Sequence, residues 1–155
     1  VVDAALTESE RTGGPAAALE LPDGSIVTGK TSDLLGACSA LLLNALKELA
    51  GIGHEIKIIS PQAIEPIQSL KTKYLGSRNP RLHTDEVLIA LSVSAATSED
   101  ARLAMEQLPK LKGCQAHVSV MPGSVDIKQF KLLSVQATFE AKYEKNSVFF
   151  NNKGV

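Results

Sequence analysis

The segment from Gly24 to Ser32, GSIVTGKTS, constrains the fold of this chain more than any other. Its spacing, G-x-x-x-x-G-K-T, matches the P-loop that cradles nucleotide phosphates. A hairpin turn, a strand and a helix cap would contain the same residues. The two interpretations predict different backbones for residues 25–28, one curled around phosphate and one extended. The choice between them therefore decides much of the topology.

The residues between the two glycines favour the extended backbone. Ile26 and Val27 are β-branched and apolar, which suits a strand better than a phosphate-binding loop. The sequence PDG at residues 22–24 is typical of a turn. Asp33 is expected in the first turn of the next helix, where it would repel a bound anion. We therefore predict a hairpin here, with P-loop nucleotide binding as the less favoured alternative.

The first half of the chain alternates strand and helix patterns. Residues 1–14 predict a leading helix that ends at a Gly-Gly-Pro run. Thr31 or Ser32 is expected to cap a deeply buried helix that ends at Gly51. The β-branched residues of HEIKIIS, positions 54–60, predict a strand.

The second half is richer in helix patterns. Ser98 and Ser124 are both expected to cap helices. The remaining elements are predicted in this order: helices at about 63–75, 85–96 and after Ser98, a strand at 116–121, a helix from Ser124 and a strand at 135–143. This order predicts an α/β fold with a mixed sheet that is covered by helices.

Composition and charge exclude several function classes. The formal net charge is -1 and aromatic residues make up 4% of the chain, so we expect no nucleic-acid partner. The apolar runs are too short for a membrane span, so no membrane association is expected. Two cysteines are too few for a disulfide framework, which favours reducing cytoplasm. The chain begins with Val1, which suggests a piece of a longer protein.

Two resemblances extend this interpretation. The order hairpin, buried helix, strand and Ser-Pro helix start, over residues 20–65, resembles the cytidine-deaminase-like fold. Three stretches, LELPDGSIVTGKTSDLLGACSALLLNALKELAGI, ISPQAIEPIQSLKTKYLG and NPRLHTDEVLIALSVSAAT, resemble an uncharacterised bacterial family of much longer proteins. This second resemblance reaches about Tyr143. It implies a single domain, residues 1–155, that is the C-terminal subdomain of such a protein, with the N-terminal part as its partner and no assigned reaction. It also implies the three-layer, cytidine-deaminase-like α/β fold, a mixed sheet with helices on both faces.

The chemistry of zinc deaminases does not fit this sequence. Those enzymes place a His or Cys and then, two residues on, a Glu in one helix, and Cys-x-x-Cys at the start of the next. Here Cys38 is followed by Ala40, which cannot move a proton, and Gln62 and Glu65 occupy the two cysteine positions. We therefore predict no metal and no cofactor, and interpret Cys38 as an apolar core residue.

A polar loop, residues 77–86, is the strongest candidate for a functional site. Arg78, Asn79 and Arg81 could hold a carboxylate or phosphate. His83 could exchange a proton near neutral pH, with Asp85 to orient its ring. The alternative is that Asp85 only favours a helix start and that the arginines are solvated or paired within the protein.

Lys30, Thr31 and Ser32 form a second candidate, because a lysine and exposed amides at a helix start attract anions. We predict a structural or oligomerising subdomain that contributes an anion pocket at a domain or subunit junction, with a homo-oligomer as the expected assembly. The alternative is an enzyme domain that acts on a small phosphorylated or carboxylate substrate. The apolar sequence SVFF in the tail, residues 144–155, suits the first of these two functions.

Overall fold

The computed structural model describes residues 1–142 and builds them around one four-stranded sheet. The strands are β1 (Ala16–Glu20), β2 (Ile26–Lys30), β3 (Gln115–Val118) and β4 (Gln136–Phe139), in the order β2-β1-β3-β4. β1 runs antiparallel to both of its neighbours, and β3 runs parallel to β4. The predicted mixed α/β class is confirmed. The tail 144–155 and its SVFF sequence lie outside the described residues.

Six α-helices accompany the sheet within residues 1–142. They are α1 (Val2–Thr12), α2 (Ala37–Ala50), α3 (Pro61–Ser69), α4 (Thr84–Ser94), α5 (Glu99–Met105) and α6 (Ser124–Leu132). A π-helical segment, Leu70–Tyr74, continues α3, and a 3-10 turn, Leu108–Leu111, follows α5. No helix in this part of the chain is long and apolar enough to cross a membrane.

The predicted hairpin is present. β1 and β2 pair from Ala16 opposite Lys30 to Glu20 opposite Ile26, and Gly24 occupies the connecting turn with φ of 88°. The backbone of residues 26–30 therefore belongs to a sheet ladder, and its amides do not converge on a common centre. The curled loop that a P-loop requires is absent from residues 24–32.

The buried helix begins later than the sequence predicts. α2 starts at Ala37, and its N-cap is Gly36. The prediction that Thr31 or Ser32 caps this helix is wrong, and Asp33 lies ahead of the helix instead of in its first turn. The lysine and amides of residues 30–32 are consequently not at a helix start.

The cause is a contact that is distant in sequence. Leu34 accepts a hydrogen bond from the Leu82 amide at 3.0 Å, and the Gly36 amide donates to the Leu82 carbonyl at 3.3 Å. The Ser32 hydroxyl accepts from the Leu35 amide at 3.2 Å, which closes a turn. Because this backbone is already paired, it cannot enter the helix before Gly36.

The strand predicted at residues 54–60 is also wrong, since this segment forms no strand in the structure. Ile58 and Ile59 are adjacent, yet both are buried, and both line one cavity beside Leu43 and Asn44 of α2. The β-branched residues therefore pack against a helix and not within the sheet.

β1 forms the centre of the core. Its residues Ala16, Ala17, Ala18 and Leu19 are all fully buried. Successive side chains of a strand point to opposite faces, so the sheet is covered on both faces at β1. α1 and α2 both contact this strand. Small side chains in β1 allow the close approach of these helices.

Gly29 of β2 should be the position most sensitive to added volume. A Cβ there would lie 2.6 Å from Leu41 Cα and 2.8 Å from the Ala37 carbonyl oxygen, both in the backbone of α2. We expect Gly29→Ala to lower the free energy of unfolding by about 1–3 kcal/mol, because the helix has to move away. Urea unfolding followed by circular dichroism measures the change. Gly14→Ala is the matched control, since no atom lies within 4 Å of a Cβ at Gly14; equal stability of the two variants would contradict the prediction.

Candidate functional site

A small cleft opens where three helices begin, and we call it the helix-start cleft. Its volume is about 110 Å³, and the N-cap residues of α2, α4 and α6 all line it: Gly36, His83 and Gly123. Val118, the last residue of β3, borders the same cleft. Ligands of open α/β sheets commonly bind beyond the carboxyl ends of the strands, where this cleft lies.

The arrangement of helices makes the helix-start cleft attractive to anions. The first amides of a helix have no intrahelical acceptor and carry the positive end of the helix dipole. Gly36 and Gly123 have no side chain that could accept from these amides, and α2 has no acidic residue in its first turn. The amides of α2 are therefore the best placed to bind a negatively charged group.

Asp126 ties two of these helices together. Its Oδ1 accepts hydrogen bonds from the Thr84 amide at 3.0 Å and from the Thr84 hydroxyl at 2.7 Å. Thr84 is fully buried. The carboxylate at the start of α6 thus satisfies the first residue of α4 and fixes one wall of the cleft.

A buried lysine holds the loop that carries Arg81 and His83. Lys71, 6% exposed, donates to Glu86 Oε1 at 2.9 Å and to the Arg81 carbonyl. The same Glu86 oxygen accepts from the His83 amide at 2.8 Å. These bonds hold residues 81–86 in one conformation, because each partner is committed to a second contact.

The structure brings together four of the residues that the sequence singles out. Thr31, Asn79, Arg81 and His83 all line the helix-start cleft. Arg81 Nε also donates to the Ser32 carbonyl. Asn79 Oδ1 accepts from the backbone amide of Arg81 at 3.1 Å. The side-chain nitrogen of Asn79, Nδ2, is then the group that can donate to a ligand.

Other candidates lie elsewhere. Arg78 is exposed and does not line the cleft. Asp85 does not line the cleft: its Oδ1 accepts from the Glu86 amide at 2.8 Å and so stabilises the start of α4. The carboxylate that lines the cleft together with His83 belongs to Asp126. Lys30 and Ser32 line a different, larger cleft. They separate from Thr31 because neighbouring side chains of an extended backbone point to opposite sides.

Sequence reasoning missed Gly36, Gly123 and Asp126. The first two are ordinary glycines in the sequence, and they become significant only when their helix starts meet. The Pro-Gly pair ahead of α6 is the signal that could have identified Gly123, whereas the sequence analysis assigned the cap to Ser124, which is the first residue of the helix.

Cys38 borders the cleft as a neutral thiol. It is 3% exposed, and burial raises its pKa well above the ordinary value, with the charge of Asp126 adding to the effect. Among residues 1–142, no group of three or more histidines, cysteines, aspartates or glutamates is placed to hold a metal ion. Ala40 lies one half-turn on in α2, where a zinc deaminase needs a glutamate.

Asp126 should be important for stability as well as for the shape of the cleft. Asp126→Ala leaves the buried amide and hydroxyl of Thr84 without their acceptor, so we expect a loss of about 1–3 kcal/mol in the free energy of unfolding. Asp126→Asn keeps an oxygen at this position and should lose less than about 1 kcal/mol. Thermal and urea unfolding of both variants test this order. Equal losses would show that the hydrogen bonds to Thr84 do not stabilise the protein.

Comparisons with known proteins confirm the resemblance to an uncharacterised bacterial family. The family model described as "Domain of unknown function DUF1846, C-terminal" matches residues 1–149. The UPF0371 proteins of Corynebacterium glutamicum and Corynebacterium urealyticum are 58% and 59% identical to this chain over 149 residues, and that of Streptococcus thermophilus is 48% identical. Each alignment covers 96% of this chain and 30% of the relative, so the chain spans less than a third of the length of these relatives. The chain belongs to this bacterial family, the C-terminal domain of unknown function DUF1846.

Proposed function

We propose that this domain binds a small anion, through a carboxylate or phosphate group, in the helix-start cleft. The observation that carries the proposal is the N-terminus of α2, which has a glycine N-cap and no acidic residue in its first turn and which opens into the same cleft as Arg81 and His83. The first amides of α4, by contrast, already donate to Glu86 and Asp126. Val118, Val120 and Pro122 supply an apolar side to the same cleft. A small molecule with one acidic group and a short apolar part fits this combination best.

The proposal includes the setting of the domain. We infer a C-terminal subdomain with a three-layer, cytidine-deaminase-like fold, without zinc chemistry, whose cleft lies at a junction with the N-terminal part or with a second subunit of a homo-oligomer. The 30% coverage of the relatives supports a longer protein. Ile89 and Val93 of α4 are 63% and 68% exposed, which supports a further packing partner. Cys38 and Cys114 are both free thiols, which supports a cytoplasmic location.

An enzyme is the second candidate. His83 and Asp126 line the same cleft, so an imidazole, which can act as a general acid or base, shares this cleft with a carboxylate. In this alternative the anion site holds a phosphorylated or carboxylate substrate. The two candidates differ in one observable, which is whether the bound molecule is chemically changed.

Arg81 should contribute directly to anion affinity. We expect Arg81→Met in the full-length protein to weaken binding of a sugar phosphate or malonate at least about tenfold, because a charge-assisted hydrogen bond is lost. Isothermal titration calorimetry measures the affinity, and mass spectrometry of the recovered ligand detects turnover. Arg78→Met is the matched control, since this arginine is exposed and lies outside the cleft. Equal affinity of the two variants would refute the proposal.

Gly123 offers a test that leaves Arg81 intact. No atom lies within 4 Å of a Cβ at this position, and its φ of -69° suits any residue, so the protein should accept a side chain there. Both Gly123→Asp and Gly123→Asn can cap α6, and stability should change by only a few tenths of a kcal/mol. The aspartate adds a negative charge and should abolish anion binding, whereas its isosteric amide should reduce binding less. Unchanged affinity in the aspartate variant would contradict an anion site here.

A further inference from the structure

A second, larger cleft lies on the other side of residues 30–32, and we call it the basic cleft. Its volume is about 630 Å³, and it opens between the end of α1, β2, α2 and the loop at residues 54–57. Its basic side chains outnumber its two carboxylates: Arg11, Lys30, Lys47, His54 and Lys57 against Glu8 and Glu55. The helix-start cleft shares none of these residues.

One of the two carboxylates is already committed. Glu8 accepts two hydrogen bonds from Arg11, at 3.0 and 2.7 Å, and this pair neutralises itself. Lys30 and Lys57 are exposed at the rim. The lining of the basic cleft therefore keeps a positive excess.

Lys47 lies deepest in this cleft. It is 8% exposed, and its ammonium group donates to the His54 carbonyl at 2.6 Å. No carboxylate oxygen of residues 1–142 lies within 4 Å of this ammonium. An ammonium has three protons to donate, and a buried charge is costly unless it is paired. An anion in the cleft would supply the missing partner.

Burial accounts for most of this need. It lowers the pKa of Lys47; the charge of Glu55 partly opposes the shift, and the charge of Lys57 makes a smaller contribution in the same direction as burial. Two ammonium groups that repel each other at the wall of one cleft can share an anion, which removes the repulsion.

An apolar chamber adjoins the basic cleft. Its volume is about 140 Å³, and it shares Ala40, Asn44, Lys47 and Lys57 with the basic cleft as lining residues. The rest of its wall is almost entirely apolar: Leu34, Leu35, Leu43, Ile58, Ile59, Pro61 and Ile64. A ligand whose acidic group lies at the lysines can place a short apolar group in this chamber.

We propose that the basic cleft is a second binding site, for a small organic anion whose acidic group lies between Lys47 and Lys57 and whose apolar part enters the adjoining chamber. A carboxylate and a phosphate monoester share this chemistry. This proposal is independent of the anion site in the helix-start cleft, because the two clefts share no lining residue.

The experiment uses the full-length protein with Gly123→Asp, so that the helix-start cleft is disabled. Butyl phosphate, butanoate, inorganic phosphate and acetate are titrated by calorimetry, which separates the two acidic groups and tests the apolar part. We expect butyl phosphate or butanoate to bind. The ligand that binds should do so at least tenfold more tightly than the matching anion without a long alkyl group, which is inorganic phosphate for butyl phosphate and acetate for butanoate. Lys57→Gln should weaken this binding at least tenfold. Lys73→Gln is the control, because Lys73 is also exposed and lines neither cleft.

Lys47→Met gives the decisive measurement. It removes the buried ammonium while it keeps the length of the side chain, so binding should be lost while the unliganded protein unfolds at the same or a higher urea concentration. A Lys47 that serves only the fold would give a destabilised Lys47→Met protein and normal binding in Lys57→Gln, which would overturn the proposal. Absence of binding by all the ligands at millimolar concentration would also overturn it. Equal affinity with and without the butyl chain would exclude the apolar chamber from the site.

Discussion

The close contact of α2 with β2 at Gly29 fixes the position of the helix that borders both clefts. A side chain at this position would overlap the backbone of α2, so the helix lies closer to the sheet than any larger residue allows. The same helix then serves two clefts. Its first residues, Gly36 to Cys38, border the helix-start cleft, and Asn44 and Lys47, further along, border the basic cleft. A helix displaced by one methyl group would change both.

The residues that suggest a P-loop have separate structural roles. Gly24 permits the positive φ of the hairpin turn, Ile26 and Val27 extend β2, and Gly29 admits α2. Sequence reasoning could predict this hairpin because turn chemistry and β-branched residues act locally. The cap of α5 was predictable for the same reason, since the Ser98 hydroxyl accepts from the Ala101 amide three residues on. Local signals are therefore reliable here when their partners are near in sequence.

Apart from the Gly123 cap, the features that sequence reasoning missed depend on distant partners. α2 begins only at Ala37 because the preceding backbone pairs with Leu82, which no local pattern indicates. The segment 54–60 has strand composition, yet it packs on α2. The bond of Asp126 to Thr84 joins residues that are 42 positions apart. A cleft built from three helix starts can be recognised only when the fold has brought those starts together, so composition alone could suggest Arg81 and His83 but not the glycines beside them.

Residues 30–32 suggested a single anion site in the sequence, but in the structure their side chains border two different clefts. Had α2 begun at Ser32, the side chains of Lys30, Thr31 and Ser32 would have clustered around one helix start. The extended backbone instead directs Thr31 to the helix-start cleft and its two neighbours to the basic cleft. Residues 30–32 separate the two clefts, and Arg81 holds this segment from the helix-start cleft by donating to the Ser32 carbonyl. The Arg81 side chain thus ties the polar loop at residues 77–86 to the segment that separates the two clefts.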